Sequence, residues 1–147
     1  MLFRSTQTRK VVSDGVLQGY FLSSYSARKL GMQTTGNAGG SHNLEILSKE
    51  TKIADTFEGM LRKMGTGLLV TELMGQGTNY VTGDYSRGAS GYWVENGVIQ
   101  YPVEEITIAG NMKDMFQSIV GIGNDVLTRG NKSTGSILIE KMVVAGS

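Results

Sequence analysis

Very few side chains in this sequence could carry out metal or nucleophilic chemistry. The chain of 147 residues has one histidine, His42, and no cysteine. A zinc site needs several His, Cys or carboxylate ligands that converge on one point. His42 lies in a glycine-rich stretch, 36–43, without a second histidine or an acidic cluster beside it. We therefore interpret His42 as a residue that makes hydrogen bonds within a loop, and we predict neither a metal site nor a cofactor.

The serines also lack the surroundings of a nucleophile. None occupies the pattern Gly-x-Ser-x-Gly, and Ser90 is followed by a predicted strand where a nucleophile elbow needs a helix. We interpret Ser90 as a small residue at a bend. The glycine clusters at 36–40 and 75–77 lack the Gly-Lys-Ser/Thr ending of a phosphate loop, so they predict turns rather than a nucleotide site.

Two sets of charged residues invite a structural interpretation. Asp84 and Arg87 lie within the glycine-rich segment, which we define as Gly75 to Gly91, and we expect them to form an ion pair that fixes it. Glu104 and Glu105 are adjacent on a predicted strand, where neighbouring side chains point to opposite faces. This arrangement favours a solvated edge over a shared catalytic site.

The composition limits the class of protein. The formal net charge is +1, from 14 basic and 13 acidic residues, and no basic stripe is present. This argues against nucleic-acid and membrane-surface binding, because both need a concentrated positive field. Twenty-one glycines with a single proline favour a turn-rich β domain. The lack of cysteine fits a cytoplasmic location.

Three helices are predicted from caps and apolar spacing. Ser24 is the expected cap of a short helix that runs through Leu30. Asp55 caps a helix that ends at Gly65, with a capping box to Glu58. Asn111 caps the third. The expected buried stripes are Phe57, Met60, Leu61 and Met64 on the second helix, and Met112, Met115, Phe116 and Ile119 on the third.

The remaining elements are predicted strands and hairpins. Asp14-Gly15 and Asn96-Gly97 predict two hairpins, 9–22 and 92–99. Pro102 indicates a strand edge or start. We expect Trp93 to be buried. Further strands are expected at 44–47, 67–73, 105–108, 137–139 and 142–144, with a loop at 32–43. Together these patterns predict one α+β domain over 1–147, mostly antiparallel β-sheet with two or three short helices.

Several long segments resemble one known family. The segments are Gly15 to Tyr20, Tyr25 to Gly31, Thr35 to Gly40, Val70 to Gly77, Thr82 to Gly97, Tyr101 to Asn111 and Val120 to Asp125. In their sequences and in their order along the chain, these segments are similar to the C-terminal domain of PmbA/TldE proteins in the TldD/PmbA family, also called modulator of DNA gyrase. The resemblance begins at about Thr8 and covers nearly the whole sequence.

The resemblance implies a function and a partner. Family members of the two branches form a cytoplasmic heterodimer that acts in peptide maturation and in degradation of unstructured peptides. The TldD branch carries a His-Glu-x-x-x-His zinc motif and a further cysteine ligand in this domain. Here there is no such motif, and 131–136 reads Asn-Lys-Ser-Thr-Gly-Ser. The resemblance is therefore to the metal-free branch, and it implies an N-terminal portion that this sequence lacks.

We accordingly expect a non-catalytic domain whose partner is a TldD-type zinc metallopeptidase subunit and whose ligands are peptides. A homodimer is the alternative assembly. The candidate groove or interface residues are His42, Asn43, Gly75, Gly77, Asp84, Tyr85 and Arg87. Two other functions stay open from the sequence: a hydrolase that uses its own serine or His42, and a regulator associated with DNA gyrase.

Overall fold

A computed structural model describes residues 5–146. In chain order the elements are β1 (Val12–Ser13), β2 (Val16–Leu17), α1 (Ser24–Lys29), β3 (Leu44–Ile46), α2 (Phe57–Met64), β4 (Gly67–Met74), β5 (Asp84–Glu95), β6 (Val98–Asn111), α3 (Met112–Gln117), β7 (Ile119–Ile122), β8 (Leu127–Arg129), β9 (Lys132–Thr134), β10 (Ile137–Ile139) and β11 (Val143–Ala145). The predicted α+β class, with antiparallel strands and three short helices, is confirmed. The chain forms two compact units, Met1–Leu44 and Glu45–Ser147.

The first unit contains a small hairpin, helix α1 and a loop. Strands β1 and β2 pair around Asp14 and Gly15, whose φ angles of 53° and 75° are those of the predicted turn. Helix α1 begins one residue earlier than expected, because Ser23 rather than Ser24 caps it: its Oγ accepts the Ser26 amide at 3.1 Å. The loop after α1 is irregular, as predicted.

A four-stranded antiparallel sheet of order β11-β6-β5-β4 organises the second unit. Its long hairpin, β5 and β6, turns at Asn96 and Gly97 as predicted, and their φ angles of 52° and 75° are those of a type I′ turn. Pro102 lies inside β6 rather than at its start. One side of β6 pairs with β5, and on the other side β11 pairs only with Thr107–Ala109. That second side is therefore unpaired at Pro102 among residues 5–146.

Irregular pairing crosses three neighbouring strands of this sheet at one level. The register shifts between Val70 and Glu72 on β4, and between Ala89 and Gly91 on β5. Opposite Ser90, β6 carries Glu104 and Glu105, and Glu105 has a φ of 55°. Simple alternation of the two glutamates is therefore interrupted by a bulge, although both side chains are exposed, as expected for a solvated edge.

The core of the second unit lies on one face of this sheet. Ala89, Ile106 and Ile108 are buried together, and the partly buried side chains packed against them are Leu68, Val70, Tyr85, Val103 and Met142. Ile106 and Ile108 are buried while Glu105 and Thr107 are exposed, so the predicted half-buried strand is confirmed. Trp93 is only half-buried, which corrects the prediction that it is a core residue.

Helix α2 begins one residue later than predicted. Thr56 is the cap, and its Oγ1 accepts the Gly59 amide at 3.2 Å, so the capping box of Asp55 and Glu58 is wrong. Asp55 is buried instead and accepts from the Lys52 amide at 2.8 Å and from Lys63 Nζ at 3.1 Å. Gly65 ends the helix, as expected.

The apolar stripes were predicted less well than the helices. On α2, Met60 and Leu61 are buried, whereas Phe57 is exposed. On α3, Asn111 is the cap, as expected, but none of the helical residues is buried and Phe116 is 65% exposed. The stripe fails because α3 ends at Gln117, and Ile119 already belongs to β7.

Two smaller sheets are also present. Strands β10 and β7 pair antiparallel, and a three-stranded sheet has the order β3-β9-β8. The strand expected at 137–139 is confirmed as β10, and the strand expected at 142–144 is confirmed within one residue as β11 of the four-stranded sheet.

Candidate functional site

The loop from Gln76 to Gly83, within the glycine-rich segment, is held by backbone contacts. The Ser86 amide donates to the Gly77 carbonyl at 2.7 Å, and the Asn79 amide donates to the Asp84 carbonyl at 2.8 Å. A Cβ on Gly77 would lie 1.5 Å from the Ser86 carbonyl oxygen, so only glycine fits there. Gly75, with a φ of 72°, provides the turn that leads out of β4.

Asn79 shapes the tip of this loop. Its Oδ1 accepts the amides of Val81 and Thr82 at 3.0 and 3.3 Å, which is the arrangement of an Asx turn. The tip presents two large apolar side chains to solvent, since Tyr80 is 93% and Val81 94% exposed. A loop fixed in this way can offer an apolar anchor to another molecule without first becoming ordered.

Asp84 belongs to a polar cluster at the start of β5. Its carboxylate accepts from Thr82 Oγ1 at 2.6 Å and from Asn111 Nδ2 at 3.3 Å. Asn111 Nδ2 also donates to the Thr82 carbonyl at 3.0 Å. The cluster therefore ties the loop to the end of β6, which is a structural arrangement.

The expected ion pair between Asp84 and Arg87 is wrong. The two residues are three positions apart on β5, and an odd separation on a strand directs side chains to opposite faces. Arg87 Nη2 instead donates to the Leu73 carbonyl on β4 at 3.3 Å.

Three of the predicted site residues line one open recess. Gly77, Asp84 and Tyr85 border a depression of about 340 Å³ together with Gln76, Thr78, Asn79 and Ser86. A second recess of about 460 Å³ is lined by Arg87 and Arg129 with Val70, Thr71, Glu72 and Leu73. Gly75 lines neither of these two recesses.

His42 and Asn43 lie in the other unit of the chain, at the end of its loop. Both are exposed. Within residues 5–146 the His42 imidazole has no hydrogen-bond partner, so the hydrogen-bonding role expected for it is not seen. In the same loop, Asn37 is buried and its Nδ2 donates to the Gly40 carbonyl at 3.1 Å.

Electrostatics outside the glycine-rich segment centre on Asp55. The hydrogen bond from the Lys52 amide and that from the Lys63 ammonium hold the pKa of Asp55 below its ordinary value, against the opposing effect of burial. The Asp55 carboxylate forms a salt bridge with Lys63 and thereby stabilises the start of α2. Its role is structural.

A second fixed carboxylate was not anticipated from the sequence. Asp125 accepts from Ser136 Oγ at 2.5 Å and from the Ser136 amide at 2.9 Å. Nearby, Asn124 Nδ2 donates to the carbonyls of Lys52 and Ile53 at 3.1 and 2.7 Å. The polar run 123–125 was the available signal, since closely spaced Gly, Asn and Asp favour side-chain bonds to the backbone.

The side chains that the structure describes do not form a site for a metal ion. Among residues 5–146, no three His, Cys, Asp or Glu side chains come together. His42 is exposed, and Asp55 and Asp125 are separately occupied by donors. No step of a metal-dependent reaction is therefore assigned to the described side chains. No helix in the described part of the chain has the length and apolar character needed to cross a membrane.

Comparison with known proteins identifies relatives along almost all of the chain. The family signature of the PmbA/TldA metallopeptidase C-terminal domain matches residues 4–146. The metalloprotease PmbA of Escherichia coli O157:H7 is 58% identical over 141 residues, which are 96% of this chain and 30% of the relative. The PmbA homolog of Haemophilus influenzae is 54% identical over 142 residues, 97% of this chain and 31% of the relative.

Solved structures show the same fold. A Thermotoga maritima protein described as a modulator of a DNA gyrase is 39% identical, with a TM-score of 0.82 over 95% of this chain and 33% of that protein. A Bacteroides thetaiotaomicron protein of the same description is 32% identical, with a TM-score of 0.81 over 97% of this chain and 31% of that protein. The chain thus spans about a third of the length of these relatives. Matched from residue 4 to residue 146 by the family's C-terminal domain, it belongs to the PmbA/TldA metallopeptidase family.

Proposed function

We propose that this chain serves as a non-catalytic domain of a metal-free subunit, which works beside a TldD-type zinc metallopeptidase subunit in the cytoplasm. The observation that carries the proposal is the donor set. The chain belongs to a metallopeptidase family, yet it has a single histidine, which is exposed, and no cysteine. Hydrolysis of a peptide bond needs an activated nucleophile and a stabilised oxyanion, and neither is found among the described side chains.

The surface that we assign to this role is the glycine-rich segment with the adjoining strand β4. In the described part of the chain, β4 pairs only with β5, so its outer edge has free backbone groups. An extended peptide can add to such an edge through main-chain hydrogen bonds, which tolerate many sequences. This property suits maturation of peptides and degradation of unstructured ones. The exposed Tyr80 and Val81, in the loop between β4 and β5, supply an apolar anchor for the partner subunit.

Reconstitution tests the proposal. A family-length protein that contains this chain is mixed with a TldD-type subunit, and both assembly and cleavage of an unstructured peptide are measured. We expect Tyr80→Ser with Val81→Ser to weaken assembly and to lower cleavage in parallel. The matched control is Ile53→Ser, because Ile53 is 94% exposed but lies outside the glycine-rich segment.

Two results would contradict the proposal. Assembly and cleavage at the wild-type level in the double variant would exclude this surface. Cleavage of peptide by this chain alone in the presence of a chelator would show that it is a hydrolase in its own right.

A further inference from the structure

Arg87 points to the core side of the four-stranded sheet. Arg87 lies opposite Ile108 on β6, and Ala89, two residues further along β5, lies opposite Ile106. Ala89, Ile106 and Ile108 are all buried. Arg87 Nη2 donates to the Leu73 carbonyl, but its buried Nε has no hydrogen-bond partner among residues 5–146. Because a buried N–H without an acceptor is costly, this group is a candidate site for an acceptor from another molecule.

The recess beside Arg87 supplies room for that acceptor. It has a volume of about 460 Å³, and Arg129 of β8 lines it together with residues 70–73 of β4. Within the described residues, neither arginine forms a salt bridge, and Glu72, which also lines the recess, forms none either. Two guanidinium groups thus share one space that no acidic side chain of the described chain neutralises directly.

The charges of the recess select the kind of anion. Two arginines and one glutamate leave a single positive charge. A carboxylate balances that charge, whereas a phosphate dianion would leave the recess with a net negative charge. The planar guanidinium fork also matches the two oxygens of a carboxylate.

We propose that this recess binds a carboxylate group of a peptide, with the guanidinium groups of Arg87 and Arg129 as donors. The free edge of β4 runs along the recess, so an extended peptide can pair with Val70 to Leu73 while its carboxylate enters. The carboxylate is either the C-terminus of the peptide or an acidic side chain. This inference rests on the peptide-binding role proposed for the edge of β4 and names the group of the peptide that is recognised. The recess needs no second subunit to bind its ligand, so the test below is independent of the assembly test.

Nuclear magnetic resonance of the arginine Nε–H groups tests the proposal on the present chain. The Arg87 signal is assigned by its loss in Arg87→Lys. The probes are N-acetyl-tetraalanine with a free carboxylate, the same peptide as an amide, an amidated peptide with one glutamate, and inorganic phosphate. We expect saturable shifts of the Arg87 Nε–H with a carboxylate peptide and none with the tetraalanine amide. The first and third probes distinguish a C-terminal from a side-chain carboxylate.

Two variants of one hairpin provide the matched comparison. Arg129→Gln should weaken carboxylate binding about tenfold, as expected for loss of one charged hydrogen-bond donor. Lys132→Gln removes the same charge from the residue that pairs with Arg129, yet Lys132 does not line the recess, so binding should be unchanged. Both side chains are exposed, so the comparison stands even where Arg87→Lys fails to fold.

The proposal is overturned if neither carboxylate peptide gives a saturable shift of the Arg87 signal. It is equally overturned if the tetraalanine amide binds as well as the free acid, or if phosphate binds more tightly than both carboxylate peptides. If Arg129→Gln and Lys132→Gln weaken carboxylate binding equally, the binding depends on general surface charge and not on the recess, and the proposed site is rejected.

Discussion

At the scale of single residues, Gly97 meets two separate steric demands. Its φ of 75° belongs to the left-handed region, and a Cβ there would lie 2.9 Å from Arg62 Cα. We expect Gly97→Val to lower the free energy of unfolding by at least about 2 kcal/mol, because a β-branched residue strains that backbone and also strikes helix α2. Urea denaturation followed by circular dichroism measures the change.

Gly130 provides a control that isolates the contact with Arg62. Gly130 also has a positive φ, of 60°, but a Cβ on it would meet nothing within 4 Å. Gly130→Val should therefore be less destabilising than Gly97→Val. Equal losses in the two variants would show that the tip of the long hairpin does not contact α2 in solution.

Trp93 contributes through cross-strand pairs rather than through burial in a core. It faces Leu68 on β4 and Tyr101 on β6, and its Nε1 donates to Glu95 at 2.9 Å. Trp93→Ala should cost about 1–2 kcal/mol, the sum expected for two such pairs, and less than truncation of a fully buried tryptophan. Trp93→Phe should retain most of that stability. A loss in thermal denaturation as large as that of a core cavity would contradict the half-buried position.

At the scale of elements, the start of α2 depends on a charged group. The pKa of Asp55 is lowered in the folded chain by the Lys52 amide and by Lys63, so folding favours the ionised form. The resulting stabilisation is present above the unfolded pKa of about 3.9 and is lost as the pH falls through the lower, folded pKa.

We therefore expect the urea midpoint of the wild type to fall on acidification from pH 7 to pH 3. Asp55→Asn should be less stable at pH 7 and should lose less on acidification, because its neutral side chain cannot titrate. Asp114→Asn, which changes an exposed carboxylate on α3, serves as the control and should keep the wild-type pH dependence. An Asp55→Asn variant with the full wild-type acid sensitivity would assign that sensitivity to other groups.

Elements whose signals are local were predictable, and those set by distant packing were not. The turns at Asp14-Gly15 and Asn96-Gly97 follow from the conformational preferences of the two residues themselves. The cap of α2 was misplaced by one residue because Asp55, an equally good capping type, is used by Lys52 and Lys63 instead. The stripe on α3 failed because the chain changes to a strand at Ile119, which no local pattern indicated.

At the scale of the whole molecule, the sequence suggested Arg87 as a site residue but not its surroundings. Arg129 lines the same recess from a different sheet, and the two arginines lie far apart in the sequence. The expected Asp84 partner was a neighbour in sequence, where strand alternation separates the side chains. Sequence proximity is thus a poor guide to ion pairs on strands.

The whole chain also permits a simple prediction about metal content. We expect no stoichiometric zinc in purified, untagged protein, because none of the described side chains form a ligand set. Elemental analysis before and after incubation with zinc, followed by dialysis, measures this. One reproducible equivalent of zinc per chain would require ligands other than those seen here, and it would count against a metal-free subunit.

The contact between Gly97 and the end of α2 has a consequence for how the chain opens. Turns between strands are usually among the first segments to exchange their amide hydrogens with water. Here the Gly97 amide is donated to the Gly65 carbonyl at 2.7 Å, so it is protected until the hairpin tip leaves the helix end. The slow exchange expected at this turn then reports on helix α2 as well, and the two elements share one opening event.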